Sequence, residues 1–247
     1  MKKIGLQLYS IKELAERDFL GTIRMVSDIG YEGVEFAGFY NTPPDTLKKH
    51  MDDLGILPCG SHISMEELTS DFNRTLEYNL EIENPAIIVP YLPEEFRKDR
   101  DGWRKTAETM NVLHEKLHKS GIRLGYHNHD FEFFGSGQEY DYDFFASCLH
   151  PDILLEMDLF WVAYAGVDVR EYVERYAERI EPVHIKDMGH NRTSTIIGEG
   201  SIDFESLIPL MRHTEWLVIE QEHFETSFEF AVEKGFRHLD TLRRTQT

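Results

Sequence analysis

Short apolar runs of five or six residues alternate, along the whole chain, with longer segments whose apolar positions recur every three or four residues. The first kind of run reads as a buried strand and the second as an amphipathic helix. Strands are predicted over residues 4–9, 33–37, 57–62, 86–90, 123–127, 153–158, 181–186 and 217–222. Helices are predicted between them at 19–29, 46–54, 106–119, 142–149, 169–179, 204–212 and 227–243, with a looser helical pattern over 66–83. Strict alternation of this kind gives a parallel sheet with crossover helices. Gly30, Gly55 and Gly121 each stand between a helix and the next strand, where a left-handed residue ends the helix.

Eight repeats favour closure of that sheet. An open doubly wound sheet more often has about five or six strands, and no glycine-rich dinucleotide fingerprint follows the first strand here. The fold expected is therefore α/β, a (β/α)₈ TIM barrel, with residues 1–247 as a single domain of ordinary length for that architecture. No Pro/Ser/Gly-rich stretch or charge run supplies a linker.

Composition narrows the partners. Lys and Arg total 26 against 45 Asp and Glu, and a net charge of −19 repels a phosphate backbone, so nucleic acid is not expected. No apolar run is long enough to cross a bilayer, and Met1 to Ser10 lack the basic start and long apolar run of a signal peptide. A cytoplasmic protein with no membrane partner is expected. Cys59 and Cys148 are too few for a disulfide framework and read as small buried apolar residues.

Candidate chemistry collects at the C-terminal ends of the predicted strands: Gln7 and Tyr9, Glu35, His62, His127 and His129, Asp158, His184, and Glu220 with Glu222. That rim is where barrel enzymes do their chemistry. A lone His or Asp at a strand end is usually satisfied locally, but a ring of them is harder to explain that way. Asp158, His184 and Glu220 end three successive strands, so they can converge; with a fourth donor from the preceding strand they would suit one divalent ion, Mn²⁺, Mg²⁺, Co²⁺ or Zn²⁺. Alternation points His127 and His129 the same way and Asn128 oppositely. Glu132 lies beyond that strand, on a loop that could fold it back to the rim or leave it in solvent. Lys186 shares the inward phase of His184 and could face a developing oxyanion, the plainer alternative being a surface ion pair with Asp187. Gly198-Glu199-Gly200 reads as a loop running into a helix capped by Asp203, not as a phosphate cradle. Tyr9, Phe36, Phe39, Tyr91, Tyr126, Phe160, Trp161 and Phe224 crowd the same rim, an arrangement that suits a sugar face but also ordinary packing.

These residues resemble the xylose isomerase-like TIM-barrel superfamily of sugar isomerases and epimerases nearly end to end. The resemblance is carried by Gly5-Leu6-Gln7-Leu8-Tyr9-Ser10, Gly30-Tyr31-Glu32-Gly33-Val34-Glu35, Ser61-His62, His127-Asn128-His129, Met157-Asp158-Leu159-Phe160-Trp161, Val183-His184-Ile185-Lys186-Asp187, Gly198-Glu199-Gly200 and Val218-Ile219-Glu220-Gln221. It implies one metal held by an acid after the fifth strand, then Asp158, His184 and Glu220. Many relatives read Leu-Glu-Asn on the fifth strand, where this chain reads Tyr126-His127-Asn128. Either His127 is the first ligand, or Glu132 swings in and frees His127 as an acid/base; the second arrangement is the one expected. The implied metal set is thus Glu132, Asp158, His184 and Glu220, with His127, Glu220 and Lys186 catalytic. Gln7, Tyr9, Glu35, His62, His129 and Trp161 are expected to bind substrate.

The implied activity is enolisation of a sugar or keto-sugar by a divalent-metal-dependent isomerase or epimerase. A keto-glycoside lyase or inosose-type dehydratase is the alternative on the same site. The resemblance is also compatible with a homo-oligomer.

Overall fold

The alternation takes three-dimensional form as a closed barrel in a computed structural model that describes residues 1–134 and 139–245. The barrel strands are β1 (Lys3–Gln7), β2 (Gly33–Phe36), β3 (Leu57–His62), β4 (Ala86–Val89), β5 (Arg123–His127), β6 (Leu154–Asp158), β7 (Ile180–Ile185) and β10 (Trp216–Ile219). Each is parallel to its neighbours, and β10 closes the ring on β1, with Lys3 opposite Trp216 and Leu6 opposite Ile219. A two-stranded antiparallel hairpin, β8 (Asp187–Met188) with β9 (Ser194–Thr195), follows β7 outside the barrel.

All eight expected strands form, and Gly30, Gly55 and Gly121 adopt the left-handed conformation, with φ of 117°, 69° and 81°. The loose pattern over 66–83 is two helices: Met65–Ser70, whose N-cap Ser64 accepts from Glu67 N, and Phe72–Glu81. Pro209 confines the 204–212 segment to a single turn, Phe204–Leu207, followed by a 3₁₀ turn; Asp203 caps it as expected. Short helices at Lys12–Arg17 and Leu159–Tyr164 were not in the expected set. Cys59 is buried and Cys148 half-buried, and both are free thiols. Among the described residues no helix is long and apolar enough to cross a membrane.

The main core lies between the strands and the surrounding helices, where outward-facing residues such as Leu6, Val34, Leu124, Leu155 and Val183 are fully or almost fully buried. Two smaller apolar groups stand apart from it, Cys59 with Trp216 and Val218, and Ala86 with Ile88 and Leu154. Strand alternation puts them inside the barrel. They fit because facing strands carry glycine. A Cβ on Gly33 would lie 2.6 Å from the Trp216 ring, and one on Gly125 would lie 2.4 Å from Ile88 Cδ1. The interior is therefore a packed apolar floor, and the inward positions one step further along the strands open on the mouth.

Candidate active site

On β5, β6 and β10 the functional side chains follow an inward floor position in steps of two residues. Leu154 leads to Glu156 and Asp158 on β6, Gly125 to His127 on β5, and Val218 to Glu220 just past β10. The lower tier of the mouth consists of Glu35, His62, Glu156 and His184. His184 Nε2 is 2.6 Å from Glu35 Oε2 and 3.3 Å from Glu156 Oε2, while His62 Nε2 is 2.6 Å from Glu156 Oε2. His127 Nδ1 reaches the same Glu156 oxygen at 3.1 Å. Room for Glu35 comes from Gly60, where a Cβ would fall 2.5 Å from Glu35 Oε1. Above this tier, His184 Nδ1 is 3.1 Å from Glu220 Oε2, and His127 Nε2 is 4.0 Å from Asp158 Oδ2.

Glu35, Glu156, Asp158 and His184 have no exposed surface, so neighbours and not water set their charge. Burial pushes Glu156 up to about 8 and Asp158 up to about 7, with Glu35 and Glu220 respectively adding to the shift. Burial acts on Glu35 in the same direction, but the imidazoles of His62 and His184 outweigh it and hold that carboxyl down to about 2. His184 moves up despite its burial, because Glu156 and Glu35 face it; His127 moves down through burial beside His184 and His129. Glu220 is held well below the usual carboxylate range against its burial, chiefly by Lys186 and His184.

The expected site residues separate into those the fold gathers and those it does not. His127, Asp158, His184 and Glu220 each offer a donor atom, all within 4.8 Å of one another. Glu132 does not join them. It lies in the 3₁₀ turn Phe131–Phe133, where it takes a short hydrogen bond from the Tyr126 hydroxyl and another from His129 N at 3.0 Å. Tyr126 points to the helix side of β5, packing edge-on against Phe145, so Glu132 is drawn behind the strand instead of over the mouth. The structure thus groups His127, and not Glu132, with Asp158, His184 and Glu220.

Tyr9, His62, His127, His129, Trp161 and Glu220 line a cavity of about 560 Å³ above the tiers. Gln7 and Glu35 do not line it. Both are fully buried beneath it, with Gln7 Nε2 donating at 2.8 Å to Glu35 Oε2, the oxygen that also faces His184. Lys186 is buried too, at 1% exposure, and lies outside the cavity lining. It pairs with Glu222, stands 3.5 Å from Glu220 and 3.8 Å from Asp158, and its ammonium faces the Trp161 ring at 4.7 Å.

The surface ion pair considered for Lys186 and Asp187 does not form. Asp187 is buried and accepts four backbone N–H groups, from Met188, Gly198, Gly200 and Ile202, at 2.8–3.1 Å. The Gly198-Glu199-Gly200 loop is thus the wrapping of a carboxylate that fixes the end of β7.

Glu156 is absent from the residues singled out in the sequence, although it shares the inward phase of Asp158 and the rest of the strand is apolar apart from these two acids; carrying the alternation back two residues finds it. A larger groove, about 860 Å³, runs between Thr42–Pro44 and the helices of residues 65–81, but no metal-spaced donor group among the described residues falls in it.

The donor chemistry fits a divalent cation. Two imidazoles and two carboxylates are a mixed N/O set, and Asp158 Oδ2 is buried without a hydrogen-bond partner.

Comparison with known proteins agrees with this architecture. A family model for the xylose isomerase-like TIM barrel matches residues 23–242. An inosose dehydratase from Geobacillus kaustophilus is 24% identical over 241 residues, covering 80% of this chain and 78% of the relative. A sugar phosphate isomerase/epimerase from Parabacteroides distasonis superposes with a TM-score of 0.83 at 24% identity, covering 96% of this chain and 93% of that chain. The 3-keto-D-glucoside 4-epimerase of E. coli superposes with a TM-score of 0.76 at 17% identity, covering 98% of this chain and all of the other. A closed eight-stranded barrel and a family match that leaves only the chain ends outside lead to one conclusion: the chain belongs to the xylose isomerase-like TIM barrel family.

Proposed function

We propose that this enzyme is a divalent-metal-dependent isomerase or epimerase of a sugar or keto-sugar, working by enolisation. The observation that carries the reading is the convergence of His127, Asp158, His184 and Glu220 in the mouth, beneath an aromatic-rimmed cavity that His127 and Glu220 line. Those four residues would hold the ion, which supplies Lewis acidity toward a substrate carbonyl and stabilises enediolate charge.

The chain's own groups account for the rest. Glu220 lines the cavity and stays ionised because Lys186 and His184 flank it, so it is the base available to take a proton from the carbon beside the carbonyl. Lys186 acts through Glu220 and Asp158, not on the substrate, which revises the catalytic role expected from its phase. His129, brought down to about 4 by burial, is a neutral imidazole at the rim; its ring stacks on Phe131 and meets the edge of Tyr91. Tyr9, Tyr91 and Trp161 offer apolar faces to a sugar ring while His62 and His129 meet its hydroxyls. Returning the proton to the other face of the same carbon epimerises, and returning it to the neighbouring carbon isomerises.

A second reading has support from the inosose dehydratase relatives. Proton removal beside a carbonyl is also the first step of β-elimination, after which a hydroxide leaves as water. Both readings predict wash-in of deuterium at a substrate carbon when keto-sugars and 3-keto-glycosides are incubated in D₂O with Mg²⁺ or Zn²⁺. NMR then separates them, since an isomer retains every oxygen and a dehydration product loses one. Chelation with EDTA is expected to stop the exchange and re-addition of metal to restore it. Exchange that persists after complete metal removal would overturn the proposal.

A further inference from the structure

The far end of the molecule carries a second set of donors that this chemistry does not use. The helix Arg100–His118 places Asn111, His114 and His118 along one side, at spacings of three and four. The turn running from the helix Asp141–Cys148 into β6 docks on that side. Asn111 Nδ2 donates to Cys148 O at 3.0 Å, and Asn111 Oδ1 accepts from His150 N at 2.6 Å. Arg179 fastens the turn from its other flank, donating to the carbonyls of Ala146 and Ile153 at 2.9 and 3.0 Å.

This docking brings the rings of His114 and His150 face to face, with centroids 4.6 Å apart. His150 Nδ1 accepts from Asp152 N at 3.2 Å, and the Asp152 carboxylate lies 3.8 Å from the same ring nitrogen. His114, His150 and Asp152 each have one donor atom within 4.8 Å of the other two. His114 is only 5% exposed, and its Nδ1 has no hydrogen-bond partner. A buried imidazole nitrogen without a partner is costly, and a polar residue placed there at that cost points to a ligand.

We propose that His114, His150 and Asp152 form a transition-metal site of the Zn²⁺ class, separate from the barrel mouth, that clamps the turn before β6 onto the helix. Two imidazoles and a carboxylate favour Zn²⁺, Ni²⁺ or Cu²⁺ over Mg²⁺ and Ca²⁺. His118, one turn further along, has its ring 5.5 Å from that of His114 but stands outside the three-residue donor group. The site lies where strands begin, the rim that serves stability in barrels, so its output is a firmer fold and not turnover.

Zn²⁺ bound after equilibrium dialysis of the full chain, and the Zn²⁺-dependent rise in Tm, test the proposal in His150→Ala and Asp152→Asn. Both side chains are substantially exposed, 45% and 67%, and circular dichroism checks that the variants fold. Each variant is expected to hold one equivalent fewer than the wild type, or to bind it at least about tenfold more weakly, and to lose part of the Zn²⁺-induced rise in Tm. Asp158→Asn, at the mouth, is expected to leave the outer equivalent in place. Equal Zn²⁺ content and equal Tm shifts in the wild type and both outer variants would overturn the site.

Discussion

The floor and the mouth of the barrel are carried by the same strands, one inward position apart, and their chemistry is opposite. On β10, Trp216 and Val218 belong to the floor while Glu220, just beyond, belongs to the mouth; on β6 the same step separates Leu154 from Glu156. The floor contributes apolar surface, and the inward strand positions above it contribute acids and imidazoles under an aromatic rim. Because the floor keeps water away from below, a carboxylate above it takes its charge from its partners. Glu35 and Glu156 are equally buried, yet one is held near 2 and the other near 8: at Glu35 the imidazoles of His62 and His184 outweigh burial, whereas at Glu156 burial and the facing Glu35 carboxylate outweigh those same imidazoles.

The comparison predicts a double dissociation between activity and stability. Asp158→Asn at the mouth is expected to lower kcat/KM for proton exchange by about 10³-fold, in the range for losing a group that acts on developing charge. Its Tm should stay level or rise, because removing a buried charge at a functional site relieves a desolvation cost. Trp216→Ala on the floor is expected to do the reverse, costing about 3–5 kcal/mol in chemical denaturation with kcat near the wild-type value wherever the protein is folded. A floor variant that lost activity while keeping its stability would break the distinction.

Glu35→Gln tests the join between the two layers. It is expected to lower kcat by about 10–100-fold through its effect on His184, with KM little changed because Glu35 does not line the cavity. The smallest effect concerns Glu181, an acid near the start of β7 whose carboxylate accepts from Glu215 N at 2.6 Å and which burial pushes up to about 7. Its folded value lies above the unfolded one, so the wild type loses stability as pH rises from about 4.5 to about 7, and the loss persists above that. Glu181→Gln is expected to gain on the order of 2 kcal/mol above pH 7, allowing for residual solvent contact, and nothing below pH 4. Urea denaturation at the two pH values measures it.

The barrel was legible because a buried strand and an amphipathic helix leave different periods, and left-handed glycines mark where one gives way to the other. Convergence of Asp158, His184 and Glu220 followed from placing strand ends on a closed ring. What escaped depended on side-chain partners far away in sequence or on the path of a loop. Periodicity says nothing of a 3₁₀ turn, so it could not show Glu132 turning back to the Tyr126 hydroxyl. Nor does inward phase distinguish a group that faces the cavity from one beneath it, as Gln7 and Glu35 turn out to be. The ion pair weighed as the plainer alternative for Lys186 and Asp187 does not form because strand geometry sends the two side chains to opposite sides, one to acids and the other to amide groups.

Gly33 and Trp216 occupy what is, in effect, a single allotment of space shared between two strands. A side chain added at position 33 would intrude on the indole, and a smaller residue at 216 would leave a void that only growth elsewhere could refill. Sequence drift at either position is therefore conditional on the other. The two sites should travel through mutation as a linked pair, their combined substitution milder than the sum of the separate ones.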